Sequence, residues 1–238
     1  MRADGLWRRG GLIAAVFLTA YFHGWACAPE VAGRAVHNAS APAPGVSVKE
    51  LARRVDERYN ALQSLKAGFT ETYEGIGIKR TESGTLLLRK PGRMKWVYDS
   101  PPGKVFLLDG KYAWFYTRGD AQVQRLPAKE LNDLRSPLRF LLGHTELEKE
   151  LNGLTATPAV GGEFTLTGQP KGEGERVRRV MLTVTSTGAI TAITIEETDG
   201  ALTRFTFTDE EPNAAIPAAT FRFKPPPGVP VVDMPPPI

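Results

Sequence analysis

The side chains that most often perform catalysis or bind metals are scarce in this chain. It has three histidines, His23, His37 and His144, and a single cysteine, Cys27. The first two histidines lie in the N-terminal segments described below, and a lone histidine is too few for a zinc site of three or four nitrogen and sulfur ligands. One cysteine cannot form an intramolecular disulfide. The sequence therefore predicts neither a metal site nor a cofactor.

Adjacent carboxylates occur at Glu196-Glu197 and at Glu210-Glu211. Neighbouring residues of a strand point to opposite faces of a sheet, so we interpret both pairs as solvated charges rather than as an acid–base pair. A hydrolase of a bound lipid is an alternative, but only His144 is placed to serve as a base and no serine is marked as its partner. We predict that the protein is not an enzyme.

The composition is that of an ordinary globular protein, with 42% hydrophobic residues, 24% charged residues and a net charge of +4. Part of the positive charge lies at Arg2, Arg8 and Arg9, so the remainder of the chain is only weakly basic. A nucleic-acid-binding protein would cluster lysine and arginine on one face. No nucleic-acid partner is therefore expected, and 238 residues favour one domain with appendages.

The N-terminus has the pattern of a secretory signal peptide, which we predict over residues 1–28. A basic stretch at 1–9 precedes an apolar stretch at 12–21, and Ala26-Cys27-Ala28 has the small-x-small form of a signal peptidase site. An alternative is that Cys27 is lipidated and anchors the chain to a membrane. Residues 29–46 are rich in alanine and proline, and they are predicted to form a disordered tether.

An amphipathic helix is predicted over residues 48–63. Ser47 and Glu50 form a capping box at its start. Apolar residues then recur at helical spacing, at Val48, Leu51, Val55, Tyr59 and Leu62. One face of this helix must therefore pack on apolar surface elsewhere in the protein.

Two runs of strands follow the helix. A period of two predicts strands at 66–74, 76–81, 83–90, 93–99, 104–109, 112–117 and 121–126, and again at 153–158, 163–168, 176–186, 189–197, 201–208 and 219–224. Short helices are predicted between the runs, at 128–134 and 137–143, and Thr145 with Glu148 indicates another helix start.

Short turns join these strands. At Asp109-Gly110, for example, both central residues of the turn are expected to have positive φ. The strands therefore form an antiparallel meander, and a sheet of this size must curl or split. The predicted fold class is mainly β with few helices (α+β), and the apolar face of the sheet surrounds either a packed core or a cavity.

Five segments, in this order along the chain, resemble the periplasmic outer-membrane lipoprotein carrier family, LolA. They are 65–72 (LKAGFTET), 83–96 (SGTLLLRKPGRMKW), 109–116 (DGKYAWFY), Gln122-Val123 and 221–229 (FRFKPPPGV). Each segment alone has low specificity, whereas their common order and spacing are more specific. The resemblance covers residues 46–233.

The resemblance implies an incomplete antiparallel β-barrel, or half-barrel, lidded by the N-terminal helix and the mid-chain helices, over residues 47–233 with a tail at 234–238. It implies a periplasmic chaperone that binds the acyl chains of lipoproteins in an apolar cavity and moves them from the inner to the outer membrane. The implied partners are acylated lipoproteins as cargo, an ATP-driven release complex in the inner membrane and a lipoprotein receptor on the outer membrane. The implied state is a monomer.

Strand alternation selects the residues expected to line the cavity, although plain core packing would select the same residue types. They are Phe69, Leu86, Leu88, Met94, Trp96, Tyr98, Val105, Leu107, Trp114 and Tyr116, beneath a lid of Leu138, Leu141 and Leu142.

The family usually has an arginine at position 90, where it holds the lid shut by reaching lid carbonyls, and this chain has Lys90. Lysine lacks the rigid guanidinium fork but could still reach one or two carbonyls, so we expect a looser latch or one made differently. The alternative is a solvated lysine at a strand end. Arg89 should point to the other face. Two further alternatives keep the same fold: an outer-membrane receptor lipidated at Cys27, and a carrier or stress sensor that binds another lipid.

Overall fold

The computed structural model describes residues 46–131, 141, 146–172 and 176–234. All of them fall in one compact unit, Pro44–Ile238. The predicted signal peptide and nearly all of the predicted tether lie outside the described residues, as do most of the mid-chain helical segment and the last four residues of the tail.

Helix α1 (Val48–Ala61) begins where the capping pattern predicts. The Ser47 hydroxyl accepts a hydrogen bond from the Glu50 amide at 3.2 Å. The Glu50 carboxylate does not return to Ser47 but binds Arg53 and Arg54, so only half of a capping box forms. The helix ends before Leu62, which is already extended, because the chain turns there into the first strand.

The described residues form one sheet of twelve strands. They are β1 (Ser64–Gly75), β2 (Ile78–Arg89), β3 (Arg93–Ser100), β4 (Lys104–Leu108), β5 (Tyr112–Thr117), β6 (Val123–Pro127), β7 (Leu151–Pro158), β8 (Phe164–Pro170), β9 (Val177–Val184), β10 (Ile190–Glu197), β11 (Leu202–Pro212) and β12 (Val231–Asp233).

The strand order is β12-β6-β5-β4-β3-β2-β1-β11-β10-β9-β8-β7, so β12 and β7 are the two edges and the sheet is not closed. Every neighbouring pair is antiparallel except β12 and β6. This arrangement confirms the predicted half-open, mainly β fold.

Several predicted elements were wrong in detail. The predicted strands 76–81 and 83–90 are one strand, β2, with an irregularity at Ser83 and Gly84. The predicted strand 219–224 is instead a 3₁₀ turn, Ala218–Phe221, followed by irregular chain. Strand β12 was missed, because its three residues lie between proline-rich segments and show no usable alternation.

The turn between β4 and β5 also differs from the prediction. Gly110 has positive φ (96°), but Asp109 does not. Asp109 acts through its side chain, since its Oδ1 accepts hydrogen bonds from the Lys111 and Tyr112 amides, each at 2.7 Å. The turn is therefore stabilised by an aspartate cap rather than by two residues in the left-handed region.

The described residues between the strand runs include a 3₁₀ turn, Ala128–Leu131, and helix α2 (Leu147–Glu150). Thr145 was expected to cap α2 but lies outside the described residues. The cap comes instead from α1, where the Asp56 carboxylate accepts a hydrogen bond from the Leu147 amide at 3.2 Å. This contact ties α2 to α1.

The face of the sheet that packs against α1 is called the inner face, and the opposite face is called the outer face. Along the inner face, Gly84 of β2 pairs with Phe69 of β1 on one side and with Tyr98 of β3 on the other. Because Gly84 has no side chain, the two flanking rings meet above it, with centroids 5.0 Å apart. A glycine on the inner face thus allows two aromatic rings from next-neighbour strands to touch.

Gly84→Ala should destabilise the protein by about 1–3 kcal/mol, the usual cost of overpacking a core. A β-carbon at this position would lie 2.0 Å from the Val97 carbonyl oxygen, which belongs to the backbone and cannot rotate away. Urea denaturation of Gly84→Ala and of the neighbouring control Thr85→Ala would measure the effect. Equal free energies of unfolding for the two variants would contradict this account.

Candidate functional site

The centre of the inner face is an aromatic cluster around Trp96. The ring centroids of Phe69 and Trp96 are 4.5 Å apart, in an edge-to-face arrangement. The ring centroids of Phe205 and Phe207, from β11, lie 5.4 and 6.3 Å from that of Trp96. The cluster joins β1, β3 and β11, so it spans the two strand runs of the sequence.

Six of the predicted cavity residues lie together on this face: Phe69, Leu86, Leu88, Met94, Trp96 and Tyr98. Their exposed fractions are between 0% and 8%, so they are packed in this structure rather than open to solvent. Leu141, from the predicted lid, is also buried and belongs to the same core. Leu138 and Leu142 lie outside the described residues.

The face predicted for β4 and β5 was wrong. Trp96 pairs with Phe106, and Met94 pairs with Leu108, so Phe106 and Leu108 share the inner face. The four predicted residues of these strands, Val105, Leu107, Trp114 and Tyr116, therefore lie on the outer face. Both faces of β4 are apolar, so alternation alone could not decide which face is which.

The outer-face aromatic residues contact the C-terminal segment instead of a cavity. Phe223 stacks on Trp114 with ring centroids 5.2 Å apart and an interplanar angle of 17°. Arg89 points to this side, as expected, and donates a hydrogen bond to the Ile216 carbonyl at 2.9 Å. The segment after β11 thus covers part of the outer face, which explains why Leu107 is buried there.

An open groove of about 480 Å³ lies beside this segment on the outer face. It is lined by Arg93, Asp109, Lys111, Ala218, Phe221, Arg222 and Phe223. Because most of its polar lining is charged, the groove does not have the character of the predicted acyl-chain cavity.

Sequence reasoning missed a second set of inner-face residues. They include Phe106 and Phe115 in the first strand run and Leu166, Leu182, Ile193, Phe205 and Phe207 in the second. The alternation of Phe205 and Phe207 with Thr206 was a visible signal. It identifies a strand with one apolar face, but it does not show which other strand that face meets.

Helix α1 is held on the inner face by a polar contact in its last turn. The hydroxyl of Tyr59 accepts a hydrogen bond from the Ile190 amide at 3.0 Å and donates one to Glu210 at 3.2 Å. Arg58 forms an ion pair with the same carboxylate at 2.6 Å. Burial raises the pKa of the Tyr59 hydroxyl, with a further contribution from the charge of Glu210, so this hydroxyl remains a neutral hydrogen-bonding group.

Lys90 reaches the same end of α1. Its ammonium donates hydrogen bonds to the carbonyls of Tyr59 and Asn60 at 2.6 and 2.9 Å. Carbonyls at a helix C-terminus have no partner within the helix and attract cations, so this contact is favourable. Burial lowers the pKa of the ammonium. Lys90 therefore connects the end of β2 to the helix that covers the inner face.

The inner face becomes polar near the turn between β1 and β2. Glu71 and Glu82 are directly opposite each other in the register. Glu82 is buried and binds Lys104 and Arg80, whereas Glu71 accepts a hydrogen bond from the Tyr98 hydroxyl at 3.1 Å. Burial raises the pKa of the Glu71 carboxyl, although the nearby Lys104 ammonium acts in the opposite direction.

The described residues contain no cluster of three histidine, cysteine, aspartate or glutamate side chains with metal-binding geometry. Among the helices of the described ranges, none is long and apolar enough to span a membrane.

The fold and the site define a half-barrel protein, in which a helix covers the apolar inner face of an open sheet. The family model described as "Outer membrane lipoprotein carrier protein LolA" matches residues 60–224. The chain belongs to this family, which confirms the resemblance seen in the sequence.

Individual relatives agree with this assignment. An outer-membrane lipoprotein carrier protein of Chromobacterium violaceum is 30% identical over 193 residues, which cover 81% of this chain and 90% of the relative. Another, from Nitrosospira multiformis, is 29% identical over 174 residues, which cover 71% of this chain and 82% of the relative.

An uncharacterized conserved protein from Thermus thermophilus is similar in structure, with a TM-score of 0.50 and 12% identity. The match covers 78% of this chain and 98% of that protein. At this identity the match shows a shared fold and nothing further.

Glu71→Gln should stabilise the protein increasingly as the pH rises above 4.5, the ordinary value for glutamate. A raised pKa in the folded state means that folding favours the protonated carboxyl. The free energy of unfolding of the wild type therefore falls as the pH rises from the pKa of the unfolded state to that of the folded state. Glutamine is neutral throughout and has no such loss.

Denaturant unfolding of both proteins from below pH 4.5 to neutrality would measure this difference. Glu74→Gln, on an exposed position of the same strand, is the control. Parallel stability curves for Glu71→Gln and the wild type would contradict the burial of this carboxyl.

Proposed function

We propose that the protein is a periplasmic carrier that binds the acyl chains of lipoproteins against its inner face and moves them from the inner to the outer membrane. The observation that carries the proposal is the continuous apolar inner face, which extends from the aromatic cluster to Leu86, Leu88 and Met94 and on which α1 packs. Membership of the lipoprotein carrier family supports this cargo class.

In this proposal, the structure corresponds to the closed protein, in which α1 lies on the inner face. Apolar side chains of α1, such as Leu51 and Val55, occupy the inner face and are fully buried. Acyl chains would take their place when α1 moves away from the sheet. The sheet itself need not change, because α1 contributes no strand to its hydrogen-bonded ladder.

Each acyl methylene removed from water contributes about 0.8 kcal/mol, so a chain of about 16 carbons gains on the order of 12 kcal/mol. A carrier must return this cargo, so loading has to be opposed by a cost in the protein. Displacing the buried side chains of α1 from the inner face supplies such a cost.

The partners follow from the same proposal. The chain would receive cargo from an ATP-driven release complex in the inner membrane and deliver it to a receptor on the outer membrane, acting as a monomer. Export through the predicted signal peptide would place it in the periplasm. As a carrier it would perform no chemical reaction on its cargo.

The proposal predicts that the exported, processed chain releases newly made lipoproteins from spheroplasts into the supernatant, in a one-to-one complex. Pulse-labelling of lipoproteins followed by gel filtration would measure this release. Absence of lipoproteins from the supernatant, while an apolar dye still binds the protein, would overturn the lipoprotein cargo and point to another lipid.

Lys90→Leu should change cargo handling more than fold stability. Loss of the two contacts to α1 destabilises the closed, empty state, so cargo should be held more tightly and transferred less completely. Each bond from a charged group contributes about 1.5–3 kcal/mol, so a retention effect of about tenfold or more is expected.

Cargo uptake from spheroplasts and transfer to outer-membrane vesicles would test Lys90→Leu. Lys66→Leu, which removes an exposed lysine of β1 paired with Glu211, is the matched control. Uptake and transfer by Lys90→Leu equal to those of the control would argue against a latch at this position.

A further inference from the structure

The indole nitrogen of Trp96 is a buried hydrogen-bond donor that has no acceptor in the described part of the chain. The residue is 1% exposed, and its immediate neighbours include the rings of Phe69, Phe205 and Phe207. A buried donor without an acceptor costs on the order of 1–3 kcal/mol, and native proteins rarely retain one without a reason. Among the described residues, Trp96 Nε1 is therefore a buried donor whose hydrogen bond is unmet.

The position of Trp96 along β3 indicates what the missing acceptor would be. Met94, on one side, packs with Leu88 in the wholly apolar part of the inner face. Tyr98, on the other side, binds Glu71 at the polar end of the same face. Inner-face residues two apart on a strand are separated by about 7 Å, so Trp96 lies at the boundary between the two zones.

We propose that Trp96 Nε1 donates a hydrogen bond to an ester carbonyl of the bound acyl group, at the junction between the acyl chain and the polar head of the cargo. The inference rests on the proposed function and assigns a polar contact within it. The chains would lie over the Leu88 and Met94 zone, and the head would lie towards Glu71. Loading would then provide an acceptor for a donor that has none among the described residues.

A pair of synthetic ligands isolates this contact. One is a short peptide whose N-terminal cysteine carries a glycerol with two ester-linked palmitoyl chains, and the other carries two ether-linked hexadecyl chains. The two differ in the carbonyl groups, so their affinity ratio reports what the carbonyls contribute. Displacement of a bound apolar dye from the full exported chain would give both affinities.

The wild type should bind the ester ligand about tenfold more tightly than the ether ligand, as expected for one hydrogen bond in a buried site. Trp96→Phe keeps an aromatic ring but removes the N–H group, so its ratio should fall to about one. Met94→Leu is the control for altered packing nearby, and it should change both affinities alike and preserve the ratio. A second readout is the indole ¹H–¹⁵N resonance absent from Trp96→Phe, which should shift with the ester ligand and not with the ether ligand.

The outcomes distinguish the Trp96 contact from the proposed binding of acyl chains. If the wild type binds both ligands with equal affinity, or if Trp96→Phe keeps the wild-type ratio, the contact to the carbonyl is overturned and acyl-chain binding stands. If the wild type binds neither ligand, the proposed function is overturned, and the inference falls with it. If Trp96→Phe does not fold, the wild-type affinity ratio still tests the contact to the carbonyl, and the Trp96 indole resonance is assigned instead from through-bond connectivities in the wild-type spectrum.

Discussion

Covering the inner face of the sheet is the constraint on which the rest of the structure depends. An open sheet of twelve strands has two faces to bury, and its inner face is apolar in both strand runs. Helix α1 meets this requirement with a single apolar stripe, from Leu51 to Tyr59. The hydrophobic effect holds the helix there, but it has no direction, so the position of the helix must be set by other contacts.

Polar contacts in the middle and at the end of α1 set that position. In the middle, Arg54 donates a hydrogen bond to the Ser186 carbonyl at 2.7 Å, and Gly188 approaches so closely that a β-carbon there would lie 2.6 Å from the backbone of Arg54. Near its end, Tyr59 and Lys90 fix the last turn. Each of these contacts joins the helix to a strand or a turn, and none belongs to the ladder of the sheet. These contacts therefore position the helix without making it part of the hydrogen-bonded ladder of the sheet.

The sequence predicted most of this architecture because its signals are local. Alternation located eleven of the twelve strands, although it divided β2 in two, and the Ser47 cap located the start of α1. The structure also places the residues predicted for β1 to β3 together on one face, the inner face. The wrong assignments concern β4 and β5, where both faces are apolar and only the pairing of Trp96 with Phe106 decides which side is inner. Pairing register is a property of two segments together, so neither strand alone contains the information.

The C-terminal segment is a second case in which the sequence pattern of one segment did not predict its contacts. The Pro-rich sequence after Phe223 carries no strand pattern, yet the chain before it covers Trp114 and the chain after it adds β12 beside β6. This cover makes the outer face of β4 and β5 a second small core, separate from the inner one. The two apolar faces consequently have different roles. The outer one is closed by irregular chain tied down through the Ile216 carbonyl, whereas the inner one is covered by an amphipathic helix whose last turn is held by side-chain hydrogen bonds. In the proposed function, acyl chains lie against the same apolar surface that the side chains of α1 cover, so the contacts at Tyr59 and Lys90 that hold the helix also oppose loading.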